Sequence, residues 1–149
     1  INTIPQKPIH QTKPEKTDLL AYGAYMTNAA ACGECHTQVD KGQIIPELMF
    51  GGGRDFKFPD GSVVTSANIS PDKETGIGAW TKEMFLQRFK AYADSAYVTP
   101  SVAVGEFNSI MPWTMYSKMN EEDLVAIYEY LRTVKPITNT VVKFTPAAK

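Results

Sequence analysis

The run Cys32-Gly33-Glu34-Cys35-His36 places two thiols three positions apart and follows them at once with an imidazole. This spacing is the attachment pattern of c-type haem. In that chemistry each thiol adds across a vinyl group of the porphyrin, and the neighbouring histidine reaches the iron from one side of the ring. The pattern therefore predicts one covalently bound haem c, attached to Cys32 and Cys35, with His36 as an axial iron ligand.

A zinc site, a redox dithiol and a structural disulfide are the alternatives to haem attachment. A zinc site needs two further Cys or His ligands, but the chain holds 2 Cys and 2 His in all, so only His10 is left. A thioredoxin-like dithiol places its first Cys at the start of a helix in a βαβ unit, whereas this pair follows an apparently helical stretch, Thr17 to Ala31. Haem attachment uses both thiols and is favoured.

An electron-transfer haem needs a sixth ligand, and methionine is the natural choice because its soft thioether favours ferrous iron. Three of the 6 methionines are interpreted as packing residues: Met26, Met49 and Met84. The other three lie in an irregular segment before the last predicted helix: Met111, Met115 and Met119. Pro112 fixes the backbone directly after Met111, so Met111 is the preferred ligand. Met115, Met119 and His10 remain alternatives.

Four further side chains are predicted to lie in the haem environment: Arg54, Asn68, Trp80 and Trp113. Arg54 is suited to pair with a haem propionate, the alternative being an ordinary solvated arginine. The indole N–H of Trp80 is suited to a propionate as well, or Trp80 is a core aromatic. Asn68 is expected to hold its loop through hydrogen bonds to the backbone, and Trp113 to exclude water on the methionine side.

Three helices are predicted to position these residues. The first is capped by Thr17 and runs into the Cys motif, with Gly23 allowing a close helix crossing. The second is capped by Thr81 and carries apolar residues at helical spacing. The third is capped by Asn120, and Pro136 marks its end. Its apolar stripe recurs at i, i+3, i+4 and i+7 and consists of Leu124, Ile127, Tyr128 and Leu131.

The stretch between the first two helices predicts a small β-hairpin, because a Pro59-Asp60-Gly61 turn separates two short β-prone runs. Residues 1–16 contain three prolines and no apolar periodicity, which is typical of an extended linker. The expected organisation is a linker over 1–16, one domain over 17–136 and a C-terminal tail over 137–149.

Composition sets the class of protein. A chain of 149 residues with 43% hydrophobic residues is suited to one domain built around an apolar cofactor. The 15 basic and 16 acidic residues give a net charge of −1 without a basic cluster, so a nucleic-acid partner is not expected. No run is long and apolar enough for a transmembrane segment, and no leader sequence opens the chain. A lost signal, anchor or fused domain is therefore expected.

Taken together, these motifs resemble class I cytochromes c, in particular the single-haem domains of bacterial dehydrogenase cytochrome subunits and related periplasmic cytochromes. The resemblance covers roughly residues 17–136. It rests on the Cys motif, on the stretch from Asn68 to Trp80, and on Met111-Pro112-Trp113 followed by Asn120 to Leu131. It implies an all-α class I cytochrome c fold, with the first and last helices crossing, a small hairpin and long loops around one covalent haem.

The same resemblance implies that His36 and Met111 are the axial ligands and that electron transfer is the task. Covalent haem attachment takes place, as a rule, outside the bacterial cytoplasmic membrane, so the periplasm is the expected location. The expected partners are a protein electron donor and a protein acceptor, and no catalytic residue is predicted. Two alternatives remain: an electron-exit domain of a larger dehydrogenase or respiratory complex, and a haem enzyme or sensor with a displaceable sixth ligand.

Overall fold

A computed structural model of the chain describes Lys7 and residues 12–147. That part of the chain contains five α-helices: α1 (Leu19–Ala29), α2 (Cys32–Cys35), α3 (Lys82–Lys90), α4 (Trp113–Tyr116) and α5 (Glu121–Leu131). One 3₁₀ turn covers Pro46–Leu48. None of the helices in this part has both the length and the apolar content to cross a membrane. His10, one of the alternative ligands, lies outside the described residues.

Short strands form two antiparallel sheets beside the helices. Strands β1 (Val39–Asp40) and β2 (Gln43–Ile44) pair with each other. Strands β3 (Asp55–Lys57), β4 (Val63–Thr65) and β5 (Phe144–Thr145) form the second sheet in that order. The predicted hairpin is β3–β4, with Asp55 opposite Thr65. The fold is thus helical, as predicted, with somewhat more β-structure than one hairpin.

The packing of α1 against α5 is the main helix contact of the fold. Gly23 lies at the crossing, and a Cβ atom built there would be 2.1 Å from the carbonyl oxygen of Ala126. The two backbones can approach this closely only because Gly23 has no side chain. At one end of the crossing, the Tyr22 hydroxyl donates a hydrogen bond to Asp123 at 2.7 Å. The predicted close crossing at Gly23 is confirmed.

Helix α5 supplies most of the hydrophobic core. The four residues of its predicted stripe are all buried: Leu124, Ile127, Tyr128 and Leu131. They pack with Phe50, Ile77 and Phe85, so the core joins α5 to α3 and to the loops between them. The helix ends at Leu131, ahead of the predicted stop at Pro136. Asn120 occupies the N-cap position, although its side chain makes no capping hydrogen bond.

The first predicted helix is wrong in two details. Its N-cap is Asp18, whose carboxylate accepts from the backbone N–H of Ala21 at 3.1 Å, and not Thr17. The helix also stops at Ala29 instead of running into the Cys motif. Ala31 has a φ of 53°, and a left-handed residue cannot continue a right-handed helix. The Cys motif therefore forms its own turn, α2, in a new direction.

The second predicted helix begins where expected, because the Thr81 hydroxyl accepts from the backbone N–H of Met84 at 3.2 Å. Of the three methionines interpreted as packing residues, Met26 and Met49 pack against the core cluster. Met84 is 49% exposed, so that interpretation is wrong for this residue. Beyond residue 136, Ile137 is buried and β5 pairs with β4, so the segment after α5 contacts the rest of the domain.

The loop from Asn68 to Trp80 is held by one carboxylate. Asp72 accepts hydrogen bonds from the Thr75 hydroxyl at 2.7 Å and the Thr75 N–H at 2.8 Å. Its second oxygen accepts from the Thr138 hydroxyl at 2.9 Å, which joins the loop to the segment after α5. These hydrogen bonds, first those from Thr75, hold the pKa of Asp72 below its usual value.

Asp72→Asn is expected to lower the free energy of unfolding near neutral pH. A carboxyl whose pKa is lower in the folded state than in the unfolded state stabilises the fold above its unfolded pKa, and this contribution disappears as the pH falls through the folded pKa. The difference between wild type and variant should therefore shrink below about pH 4. Denaturant unfolding at several pH values measures it, with the exposed Asp40→Asn as control. An equal loss at pH 7 and pH 3 would contradict this assignment.

Candidate functional site

The Cys motif forms a single, partly exposed turn between α1 and β1. Cys32 is half-buried and Cys35 is exposed, and both are free thiols. Burial raises the pKa of Cys32 to about 11. A nucleophilic redox dithiol needs a thiol with a lowered pKa, so this environment does not suit thioredoxin-like exchange. Two neighbouring free thiols on an accessible turn do suit attachment to a ligand.

His36 follows the turn and is held by a backbone carbonyl. Its Nδ1 lies 2.7 Å from the carbonyl oxygen of Ala67. A carbonyl oxygen only accepts, so Nδ1 carries the proton and donates it. Burial lowers the pKa of His36, which favours the neutral ring. The neutral ring with a proton on Nδ1 has its free electron pair on Nε2, which is the state that a metal-ligating histidine needs.

These residues fit a covalently bound haem on the evidence of their own chemistry. The two thiols lie within one turn, and the imidazole that follows them is neutral and oriented by a hydrogen bond to its other nitrogen. A partner of this kind on the non-ligating nitrogen is the usual outer contact of a metal-bound histidine. Cys32, Cys35 and His36 would hold the group, and nothing in the turn opposes it.

A second segment, carrying Met111, is connected to the Cys motif through α4. The Tyr116 hydroxyl donates a hydrogen bond to the carbonyl of Ala30 at 2.7 Å, two residues before Cys32. Burial, with the nearby Cys32 and Cys35 groups, raises the pKa of Tyr116. The turn that begins directly after Met111-Pro112 is therefore fixed beside the two thiols.

The three candidate methionines have different surroundings. Met111 is half-buried, and its carbonyl accepts from the N–H of Trp113 at 2.8 Å, with Pro112 between them. Met115 is 72% exposed on α4. Met119 packs against the hydrophobic core cluster, so its side chain is already engaged. Met111 thus combines a fixed backbone with a side chain that is not part of the core cluster.

Trp113 belongs to an aromatic cluster against the end of α3. Its ring stacks on Tyr92 with centroids 5.1 Å apart and meets Phe89 edge-on at 5.5 Å. The Arg88 guanidinium lies 4.3 Å from the Trp113 ring centroid, in a cation–π arrangement. These contacts fix Trp113, and with it the end of the segment that carries Met111. Arg88 was not identified from the sequence, because single arginines on helices carry no distinguishing pattern.

The other sequence candidates occupy three different places. Arg54 donates to the carbonyl of Glu34 inside the Cys motif, so it does lie at the attachment turn. Trp80 is half-buried at the edge of the core, and its carbonyl accepts from the Tyr128 hydroxyl at 2.8 Å. Asn68 is buried, and its amide donates to the carbonyl of Ile137 at 2.6 Å. Arg54 thus lies at the Cys motif, whereas the Asn68 side chain is hydrogen-bonded to another part of the protein.

Ala67, like Arg88, is a residue of the site that sequence reasoning missed. It acts through its backbone carbonyl, and every residue of a chain carries the same group. Its neighbour Asn68 was identified as a loop-holding residue, and this was the nearest available signal. Only the fold brings residue 67 to residue 36.

Comparison with known proteins gives one family and several relatives. The family model described as Cytochrome c matches residues 20–135. The fructose dehydrogenase cytochrome subunit of Gluconobacter japonicus is 34% identical over 121 residues, covering 79% of this chain and 22% of that protein. The cytochrome c subunit of a quinone alcohol dehydrogenase from Gluconacetobacter polyoxogenes is 32% identical over 130 residues, covering 85% of this chain and 24% of that protein.

A third relative is the gluconate 2-dehydrogenase cytochrome c subunit of Pantoea cypripedii, which is 31% identical over 124 residues. The match covers 80% of this chain and 24% of that subunit. The chain thus spans about a quarter of the length of these relatives.

Proposed function

Because the chain belongs to the cytochrome c family, whose members bind haem covalently and transfer electrons, we propose that it is a single-haem electron-transfer domain with His36 and Met111 as axial iron ligands. Cys32 and Cys35 form the two thioether bonds. Haem bound there supplies a one-electron couple between ferrous and ferric iron. The side chains and backbone groups around it hold the ligands in position.

The hydrogen bond from His36 Nδ1 to the Ala67 carbonyl carries this proposal. It fixes the ring orientation, keeps the proton on Nδ1 and leaves Nε2 as the donor atom for iron. Both His36 and its acceptor are partly buried, whereas an ordinary surface histidine bonds to water. The two free thiols directly before it complete the set of groups that covalent attachment requires.

Support for Met111 as the second ligand comes from the rigidity of its segment. Pro112 fixes φ, the Trp113 ring is stacked on Tyr92, and the Tyr116 hydroxyl is bonded to Ala30 beside the thiols. A ligand that stays bound in both oxidation states must be held by a segment that does not move between them. Trp113 and Tyr116 also limit the access of water, which influences the reduction potential.

The electron donor and acceptor are proposed to be proteins, and the location to be the periplasm. The named relatives are cytochrome subunits of dehydrogenases, which supports an electron carrier working with a dehydrogenase and not a catalytic enzyme. Covalent attachment through a Cys-x-x-Cys-His motif supports an exported protein.

Met111→Ala tests the proposed ligand set. The oxidised wild-type protein is expected to show the weak near-infrared sulfur-to-iron band of His/Met ligation, and the variant to lose it because no thioether remains at that position. The reduction potential should fall in the variant for the same reason. Optical spectra of both oxidation states and a redox titration measure these changes.

Met115→Ala is the matched control, because it removes an exposed thioether four residues further along the same segment. It is expected to keep the band. Loss of the band in Met115→Ala, with the band retained in Met111→Ala, would assign the ligand to Met115. Absence of the band in the wild-type protein would favour the alternative of a haem enzyme or sensor with an open or displaceable sixth position.

A further inference from the structure

Gly52 makes an unusually close backbone contact beside His36. It has a φ of 68°, and a Cβ atom built on it would lie 2.5 Å from the carbonyl carbon of Ala67, 2.6 Å from the Ala67 oxygen and 2.5 Å from the nitrogen of Asn68. All three are backbone atoms, which cannot rotate away as a side chain would. Any larger residue at position 52 must therefore displace the peptide between Ala67 and Asn68.

That peptide is the one that holds the axial histidine. The Ala67 carbonyl accepts from His36 Nδ1 at 2.7 Å, and Gly52 itself donates its N–H to the His36 carbonyl at 2.8 Å. Gly52 thus touches the backbone of His36 on one side and the acceptor of its ring on the other. His36, Gly52 and Ala67 therefore all contact one another, although they are far apart in the sequence.

Two backbone hydrogen bonds keep the contact in register. The N–H of Gly53 donates to the carbonyl of Ser66 at 2.8 Å, and the N–H of Ile69 donates to the carbonyl of Phe50 at 2.9 Å. They lie on either side of Gly52 and Ala67. With both ends fixed, the peptide of Ala67 cannot shift to make room for a side chain at position 52 without breaking one of them.

Asn68 holds the same peptide through its side chain. Its buried amide donates to the carbonyl of Ile137 at 2.6 Å and to the Thr75 hydroxyl at 3.0 Å, and its oxygen accepts from the N–H of Ser70 at 2.9 Å. The position of the Ala67 carbonyl is therefore restrained both by the contact with Gly52 and by the hydrogen bonds of Asn68.

We propose that Gly52, supported by Asn68, is a positioning residue that sets the reduction potential of this domain by fixing the Ala67 carbonyl against His36. The proposal rests on the proposed haem ligation by His36. A strong hydrogen bond from Nδ1 makes the ligating nitrogen a better electron donor, which favours ferric iron. Weakening this bond should favour ferrous iron and raise the potential.

Gly52→Ala tests the proposal, and Gly42→Ala is its matched control. Both glycines have positive φ values, 68° and 80°, so alanine suffers similar backbone strain at either site. At position 42, however, the new Cβ has no neighbouring atom within 4 Å. The strain is shared by the two variants, and the displacement of Ala67 is specific to Gly52→Ala.

The holoproteins are compared by redox titration and by the hyperfine-shifted proton spectrum of the His36 ring in the ferric state. Gly52→Ala is expected to favour the ferrous state about tenfold more than wild type, which for one electron is about 59 mV. The His36 ring signals should shift with it. Gly42→Ala should keep the wild-type potential and ring signals. Equal shifts in the two variants would overturn the proposal.

If Gly52→Ala does not fold or bind haem, Asn68→Ala provides a second test of the same hydrogen bond. Its control is Asp72→Asn, which loosens the same loop at a carboxylate that does not contact Ala67. Asn68→Ala should raise the potential, and Asp72→Asn should lower stability at an unchanged potential. Unchanged potentials in both would refute the positioning role. A wild-type protein without His-ligated haem would instead refute the proposed function, and its spectrum reveals this before any variant is made.

Discussion

Replacing Cys32 and Cys35 together with serine is expected to abolish covalent haem attachment completely. A serine hydroxyl does not form the thioether, and the chain contains no other cysteine. The double variant, produced with the haem-attachment machinery, should therefore carry no haem after denaturation and acidic solvent extraction. Each single variant should keep one bond. Haem staining on denaturing gels and mass spectrometry measure the covalent adduct.

Glu34→Gln is the control for this experiment, because it changes a side chain inside the same turn. Glu34 is exposed, and its backbone carbonyl and N–H make the hydrogen bonds observed for it, which the substitution leaves in place. The control should keep a full complement of covalent haem. Haem that survives denaturation in the double serine variant would show that the attachment site has been assigned to the wrong residues.

Loss of covalent haem is also expected to lower the stability of the fold. The described fold has a modest core of helices α1, α3 and α5, and several large apolar side chains on the segment before α4 are exposed, with Val98 at 81% and Phe107 at 52%. A large apolar cofactor would bury surface of this kind. The double serine variant is therefore expected to unfold at a lower denaturant concentration than wild type.

Gly23→Ala is expected to destabilise the domain by separating α1 from α5. The added methyl group would lie 2.1 Å from the carbonyl oxygen of Ala126 and 2.8 Å from Cβ of Tyr130. Overpacking of this severity costs about 3 kcal/mol, the upper end of the usual range. Alanine regains about 1 kcal/mol through its better helix propensity. The free energy of unfolding should therefore fall by about 2 kcal/mol.

Ala29→Gly provides the comparison for Gly23→Ala. Ala29 is exposed at the end of α1, so this change alters helix propensity without touching the α5 contact, and a loss of at most about 1 kcal/mol is expected. Chemical denaturation of the ferric holoproteins, followed by far-UV circular dichroism, measures both values. A Gly23→Ala variant as stable as wild type would mean that the helices do not cross at this distance.

Features that depend on residues close together in the sequence could be predicted, because residue type and spacing alone produce them. The spacing of the Cys motif, the apolar stripe of α5 and the turn between β3 and β4 each depend on residues within about a dozen positions of one another. Helix ends were less predictable. Asp18 instead of Thr17 caps α1, since two adjacent residues can both act as caps and the fold selects one.

The break at Ala31 shows a limit of periodicity. Residues 17–31 contain nothing that forbids a helix, and alanine is the best helix former. The left-handed conformation at Ala31, with a φ of 53°, exists because α2 must turn so that His36 meets Ala67. Such strain persists only where surrounding contacts enforce it.

The attachment chemistry predicted for the Cys motif, the helical class of the fold and the role of Gly23 at a helix crossing all follow from residue types and their spacing. Three further contacts depend on the folded chain: the carbonyl that holds His36, the side chain that joins α4 to the turn of the thiols, and the partner of Asn68. These contacts join residues 31, 86 and 69 positions apart. Backbone groups are chemically alike in every residue, so only their meeting in space gives one of them a role.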